Sequence, residues 1–310
     1  MSGHDHYALT YAVLGRPIRG SLSPVMHNAA FEALGMDARY EALDVAPGDL
    51  GSVFEKAARG HWAGFNLTHP HKTAGAALCD WMSPEAEAAG AVNTVVFDGL
   101  RAEGHNTDVV ALRSVMLEWA TAAASAAGQE KRFSAAVLGS GGAARAAAVA
   151  AAQSGAGEVV VSARATSKAE EAASALSWAT RRFGGARRAA AEPVIWRGLR
   201  LPELLDALRR FDVVVQATSA PDRVLRFEAA QFAPGVLAVE LNYRPSPSTS
   251  FLEAAAAGGA RAVDGLEILL RQGEEAFRLF TGVRPPGGVM RRALSQAVGR
   301  GAGGEKGVGS

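Results

Sequence analysis

The sequence predicts an α/β protein of two domains, and three observations predict it. Strand-like apolar runs alternate with helix-like segments along residues 11–97 and again along 134–241; such alternation builds a mainly parallel sheet covered on both faces. A length of 310 residues allows each series a core of its own. A long helical stretch at 108–127 separates the two series. The expected division is a first domain at 1–107, completed by C-terminal helices at 265–298, and a second at 108–264; the glycine-rich tail at 299–310 is expected to be disordered.

In the first domain, 11–15 reads as a strand and 24–34 as a helix, with Ser23 as its N-cap and Pro24 at its first position. A second strand is expected at 39–45, a helix at 49–59 and a third strand at 63–67. A helix from about residue 70, another at 85–89 and a strand at 93–97 complete the series. In the second domain a strand at 134–138 leads into a helix at 143–153, then a strand at 158–162 and a helix at 167–180. Strands near 194, at 213–216 and at 236–241 continue it, and 265–280 and 289–298 return to helix. The alanine-rich runs are helix formers rather than a low-complexity signal.

Composition narrows the function classes. Hydrophobic content of 48% and charged content of 20% are those of a globular chain, and a net charge of +1 gives no reason to expect nucleic acid or an anionic membrane as partner. The longest apolar-looking region, 135–163, is broken by Arg145, Gln153 and Glu158. No bilayer span and no leader segment are therefore expected, and the cytoplasm is the expected compartment. The single cysteine, Cys79, excludes an intramolecular disulfide and reads as part of a buried helix face, not as a nucleophile. His4 with His6, and His69 with His71, come in pairs, but no third ligand stands at a sensible spacing, so no metal site is expected. The oligomeric state is not legible; a homodimer is compatible with the sequence.

Residues 137–146, Val-Leu-Gly-Ser-Gly-Gly-Ala-Ala-Arg-Ala, run from a strand into a helix. Gly139, Gly141 and Gly142 let the backbone turn sharply and approach a pyrophosphate, with Ser140 and Ala143 in the same loop, and free N–H groups at the helix start face the negative charge. Ala143 and Ala144 stand near the place of the usual third glycine. This is the setting of a dinucleotide loop on a Rossmann sheet. The next strand ends in Ser162-Ala-Arg-Ala-Thr-Ser-Lys168, with no acid before Glu170 to accept ribose hydroxyls. Arg164 can fork around a 2′-phosphate, Lys168 adds charge, and Thr166 and Ser167 supply hydroxyls. NADP is the expected cofactor, ahead of NAD; the alternative is a solvated loop with Ser167 as an N-cap.

Three polar stretches precede that loop: Asn66-Leu-Thr-His-Pro-His-Lys72, Gly90-Ala-Val-Asn-Thr94 and Gly104-His-Asn-Thr-Asp108. Buried polar groups must each find partners, so such concentration serves a core poorly and a small polyhydroxylated ligand well. With the glycine loop they suggest a redox enzyme acting on a hydroxylated substrate. In this order, and together with Ser21-Leu-Ser-Pro-Val-Met-His-Asn28 and Gly265-Leu-Glu-Ile-Leu-Leu-Arg-Gln272, they resemble the motifs of the shikimate dehydrogenase family, a likeness running over 13–282. The resemblance implies reversible reduction of 3-dehydroshikimate to shikimate by NADPH, a step of aromatic amino-acid biosynthesis. It implies Lys72 and Asp108 as the catalytic pair: an ammonium can stabilise and protonate the oxygen that hydride transfer leaves charged, and a carboxylate in reach orients it. Ser21 and Ser23, near a helix N-terminus, suit a carboxylate. Thr68, Asn93 and Gln272 suit ring hydroxyls, and Tyr243 matches the family's substrate-side tyrosine. Thr218, Leu241 and Gly265 fall where the family borders its cofactor. His27 and His105 lie inside motifs and read as structural.

Several positions depart from the family pattern. Leu67 replaces a valine, Ala163 and Ala165 an asparagine and a threonine beside the phosphate-binding arginine, Gln216 an asparagine, Glu240 an aspartate, Ala111 a glycine and Ile268 a methionine. They leave Lys72 and Asp108 intact and open the choice of substrate, since paralogues act on quinate or on an amino analogue of shikimate. A reading of another class is a domain that only senses such a ligand; an intact lysine–aspartate pair argues against it, because sensing needs no proton transfer.

Overall fold

The computed structural model describes residues 8–128, 132–183, 193–218, 225–243 and 249–304. In chain order come β1 (Leu9–Gly15), α1 (Ser23–Ala33), β2 (Ala38–Asp44), α2 (Leu50–Ala58), β3 (Gly64–Leu67), α3 (Lys72–Ala76), β4 (Trp81–Met82), α4 (Pro84–Ala89), β5 (Thr94–Asp98), β6 (Arg101–His105) and the long α5 (Thr107–Ala127). Then follow β7 (Phe133–Leu138), α6 (Gly142–Ser154), β8 (Ala156–Ala163), α7 (Thr166–Phe183), β9 (Ile195–Arg200), α8 (Leu201–Asp206), β10 (Val213–Gln216) and β11 (Leu237–Glu240). Helix α9 (Ser250–Ala257), β12 (Arg261–Val263), α10 (Gly265–Thr281) and α11 (Val289–Gly304) complete the fold. The described residues form two compact units: one within Met1–Met82, Val92–Thr107 and Leu269–Ser310, the other within Ser83–Ala91 and Asp108–Ile268.

The first unit holds a six-stranded sheet in the order β2-β1-β3-β5-β6-β4. Strand β1 pairs parallel with β2 and β3, whereas β3–β5 and β5–β6 are antiparallel. The β5–β6 hairpin closes through Gly99 at φ 59° and Leu100, a two-residue turn with glycine first. An aromatic cluster fastens α1 and α10 to the sheet: Tyr11 lies 5.4 Å from Phe31 and 4.9 Å from Phe280, and Phe31 lies 5.1 Å from Phe277. Burying such rings supplies on the order of 1.5–3 kcal/mol each.

The second unit is a parallel sheet in the order β12-β11-β10-β7-β8-β9. Renumbered from β7 it reads 6-5-4-1-2-3, the doubly wound dinucleotide-binding topology. Alternate residues serve opposite faces. Val137, Val159, Val161, Val213, Val215 and Val239 pack against α5 and α6, while Leu138, Val160, Val214 and Ala238 pack with Phe211, Phe232 and Phe251. Helix α6 turns a run of buried alanines to the sheet, and their small side chains let its backbone approach closely. Helix α5 is long and apolar enough to cross a membrane by length and composition, but Val109, Leu112, Val115 and Met116 are core residues of this unit.

Some expectations are corrected. Ser23 is not the N-cap of α1: the helix begins at Ser23, Leu22 precedes it without a side-chain cap, and Ser21 Oγ accepts the Ser23 N–H at 3.4 Å. Helix α4 belongs to the second unit, because Ala88, Ala89 and Ala91 are buried in its core. Cys79 lies beyond the end of α3, half-buried against Gly104, with Sγ donating to the Gly75 carbonyl. The tail expected to lack structure continues α11 as far as Gly304, since extending a helix that already buries Met290 and Leu294 needs no new nucleus; residues 305–310 lie outside the described residues, as do His4 and His6.

Candidate active site

In the first unit the polar motifs converge on Asn93. Its side chain is 2% exposed, so every polar atom must be matched inside the protein. Asn93 Oδ1 accepts from the Thr107 N–H at 2.7 Å and from the Thr94 hydroxyl at 3.0 Å. Its Nδ2 donates to Thr107 Oγ1 at 2.9 Å and to Gln272 Oε1 at 3.4 Å, and Gln272 Nε2 donates to the Leu269 carbonyl at 2.8 Å. Asn66 Nδ2 in turn donates to the Asn93 carbonyl at 3.0 Å and to Thr94 Oγ1 at 2.9 Å. The network draws on β3, β5, the first residue of α5 and the middle of α10, which are far apart in sequence.

The catalytic candidates hang from the same network by their backbones. The Lys72 carbonyl accepts the Val92 N–H at 2.8 Å, so the first residue of α3 is tied one position from Asn93. Asp108 follows Thr107 in the first turn of α5 and is 9% exposed. Thr68 donates its N–H to the Leu14 carbonyl and accepts from His71 N–H through its own carbonyl. A Cβ on Gly15 would lie 2.4 Å from Thr68 Cγ2, so glycine is required where β1 ends beside Thr68. Ser21 is half-buried and Ser23 buried at the start of α1. His71 is buried with Nε2 2.9 Å from the Val45 carbonyl, and His69 is exposed.

In the second unit the glycine loop joins β7 to α6. Gly139 has φ 124°, and a Cβ there would lie 3.1 Å from the Ala217 carbonyl oxygen; both the conformation and the close approach exclude a side chain. Ser140 and Ala143 are half-buried, and Gly141 is exposed and extended as the N-cap of α6, which as glycine offers the helix no capping side chain. A Cβ at Gly141 would meet nothing within 4 Å, so open space lies beside the start of α6. That is the cradle a pyrophosphate needs. Ser162, missed from sequence, braces the loop: its hydroxyl accepts the Gly139 N–H at 3.2 Å and donates to the Val137 carbonyl. Arg164, Thr166 and Lys168 stand exposed together between β8 and the first turn of α7, with Lys168 Nζ 2.9 Å from Glu171. Thr218, Leu241 and Tyr243 are half-buried after β10 and β11, and a Cβ on Gly265 would strike the Asn242 carbonyl oxygen at 2.4 Å.

A shikimate dehydrogenase substrate-binding-domain family model matches residues 13–95, and a shikimate 5′-dehydrogenase C-terminal-domain model matches 265–294. The NADP(+) shikimate dehydrogenase of Pyrobaculum aerophilum is 36% identical over 300 residues, covering 93% of this chain and 99% of that protein. The chain belongs to the shikimate dehydrogenase family. Among solved structures of similar proteins, the Thermus thermophilus shikimate 5-dehydrogenase in complex with NADP(H) and shikimate is 36% identical, with a TM-score of 0.72 over 93% of this chain and 99% of that one. A quinate dehydrogenase from Corynebacterium glutamicum in complex with NAD is 28% identical, with a TM-score of 0.77 over 93% and 99%.

Within this shikimate dehydrogenase family member, two departures turn out to be neighbours. Gln216 and Glu240 face each other in register on β10 and β11, each a methylene longer than the residue usual in the family. Gln216 Oε1 accepts from the N–H and hydroxyl of Thr218 at 3.1 and 3.2 Å. Glu240 Oε1 accepts from Asn242 N and Nδ2, both at 2.9 Å, and Oε2 accepts from the Thr249 hydroxyl at 3.1 Å. Asn242 Nδ2 also donates to the Thr218 carbonyl at 3.0 Å, locking the two loops together. Ile268 and Ala111 are buried in the core of the second unit. Sequence reading missed Asn66, Thr94, Thr107, Gln216, Glu240 and Asn242 as positioning groups; for the first three the signal was their place inside the motifs.

Proposed function

We propose that this chain is an NADP-dependent shikimate dehydrogenase, interconverting 3-dehydroshikimate and shikimate. The observation that carries the reading is the converging Asn66–Thr94–Asn93–Thr107–Gln272 network with Lys72 and Asp108 adjoining it in sequence and hydrogen bonding. Gly139, Ser140, Gly141, Gly142 and Ala143 would hold the pyrophosphate, and Arg164, Thr166 and Lys168 the 2′-phosphate, with Thr218, Leu241 and Gly265 lining the rest. When bound, the nicotinamide ring supplies or takes up the hydride. In the reducing direction Lys72 delivers a proton to the substrate oxygen as it gains charge; in the oxidising direction it takes that proton back. Asp108 orients the ammonium and offsets its charge. Ser21 and Ser23 bind the substrate carboxylate at the start of α1, Thr68, Asn93 and Gln272 bind hydroxyls, and Tyr243 closes the substrate side. We place the reaction in the cytoplasm.

Absorbance of the reduced nicotinamide, followed with purified protein, shikimate and either NADP or NAD, tests the reading. Wild type should reduce NADP, and Lys72→Ala should lose about 10²–10⁴-fold in kcat, the usual share of a general acid–base. Shikimate turnover that Lys72→Ala leaves unchanged would remove the lysine from the chemistry. A second reading, oxidation of quinate or of the amino analogue of shikimate, has the similarity to a quinate dehydrogenase in its favour; turnover with those compounds and not with shikimate would select it.

A further inference from the structure

His27 and Asn28 end the serine element of α1, and the proposed reaction gives them no task. Both hold one residue. The Asn28 amide donates to the Tyr40 carbonyl at 2.9 Å and accepts the Tyr40 N–H at 2.8 Å, fixing β2 at that point. The His27 ring lies flat on the Tyr40 ring, with centroids 4.3 Å apart and planes within 5°. Tyr40 is 1% exposed, and its hydroxyl donates to Asn66 Oδ1 at 2.6 Å.

That hydrogen bond anchors the Asn66 amide at Oδ1, and the Asn93 carbonyl sets its direction. With Oδ1 toward Tyr40, both N–H groups of Nδ2 are engaged by the Asn93 carbonyl and Thr94 Oγ1. Turned the other way, the amide would set its own oxygen against the Asn93 carbonyl, acceptor facing acceptor. Thr94, receiving one N–H, passes its hydroxyl hydrogen to Asn93 Oδ1 at 3.0 Å, and Asn93 turns Nδ2 toward Thr107 and Gln272. We propose that Tyr40, clamped by His27 and Asn28, is a positioning residue for substrate: it holds the Asn66 amide in place and, through Thr94, reinforces the orientation of Asn93. The inference rests on the shikimate reading given above.

Kinetics on the full chain test this. Tyr40→Phe deletes only the hydroxyl; the KM for shikimate should rise about tenfold, the scale of one orienting hydrogen bond, while the KM for NADP stays within about twofold. Asn28→Ala should raise the shikimate KM as well, and the double variant should be no worse than the poorer single one, because both act through Tyr40. A Tyr40→Phe protein with a lowered melting temperature and an unchanged shikimate KM would overturn the inference and leave the shikimate reading standing; so would fully additive effects in the double variant. If wild type fails to turn over shikimate, the shikimate reading falls instead. The variants are then compared by the rise in melting temperature with shikimate, quinate and the amino analogue, where loss of the rise in Tyr40→Phe supports the positioning role and its retention overturns it. A wild type stabilised by none of the three overturns both.

Discussion

Among the described residues neither ring nitrogen of His27 has a hydrogen-bond partner, and the ring is fully buried between Tyr40 and Phe277. Burial disfavours the imidazolium and brings its pKa down to about 3. An unfolded chain takes up that proton near pH 6.5, so stability is whole above this value and declines as pH falls toward 3. Between pH 6.5 and 5.5 the loss is about 1 kcal/mol, and the slope approaches about 1.4 kcal/mol per unit below that window. Urea unfolding at the two pH values, for wild type and His27→Phe, should show the variant lacking that share of the slope; equal slopes would sink the assignment. Cys79 illustrates the opposite sense: burial first, and the nearby Asp80 second, push its thiol up to about 12, so little nucleophilic thiolate exists at neutral pH.

The loops after β10 and β11 are joined by groups that single-residue reading treats as unrelated substitutions. Glu240 is 1% exposed and accepts hydrogen bonds from Asn242 and Thr249. Removing it takes that acceptor from the buried Thr249 hydroxyl and the half-buried Asn242 N–H, while Asn242 Nδ2 keeps the Thr218 carbonyl; each group left without an acceptor costs on the order of 1–3 kcal/mol. Glu240→Ala should therefore lose about 3 kcal/mol in chemical denaturation and raise the KM for NADP, through Thr218, more than that for shikimate. A loss below about 1 kcal/mol would refute the bracing role. The contrast in legibility is physical. Periodic apolar runs and the Gly139–Gly142 loop are local signals, so the two sheets and most helices were readable within a few residues. Strand β6 and its hairpin carried an Asp98-Gly99 turn signal that an expectation of strict strand–helix alternation overrode. Strands β4 and β12 are too short for any period to show. The site divided similarly. Lys72, Asp108, Asn93 and Gln272 lie in recognisable motifs, whereas Tyr40 and Ser162 act by meeting residues distant in sequence, which only the folded register reveals.

At the scale of the molecule, the boundary between units is crossed at Met82–Ser83, Ala91–Val92, Thr107–Asp108 and Ile268–Leu269. The first unit takes its aromatic closure from α10, whose Phe277 and Phe280 pack on Phe31 and Tyr11. A chain ending at Ile268 should keep amide protection in β7, β8, β10 and β11 and lose it in β1, β2 and β3; hydrogen exchange that finds all seven strands protected would contradict this dependence. The same interleaving bears on the order of manufacture. A ribosome begins the first unit and finishes the second before it, because every strand of the dinucleotide-binding sheet has been made once Ile268 is added, while the substrate-side strands still await most of the last two helices. During synthesis the half begun first is the half left open, and Tyr11, Phe31 and Tyr40 are the surfaces a nascent-chain chaperone would find.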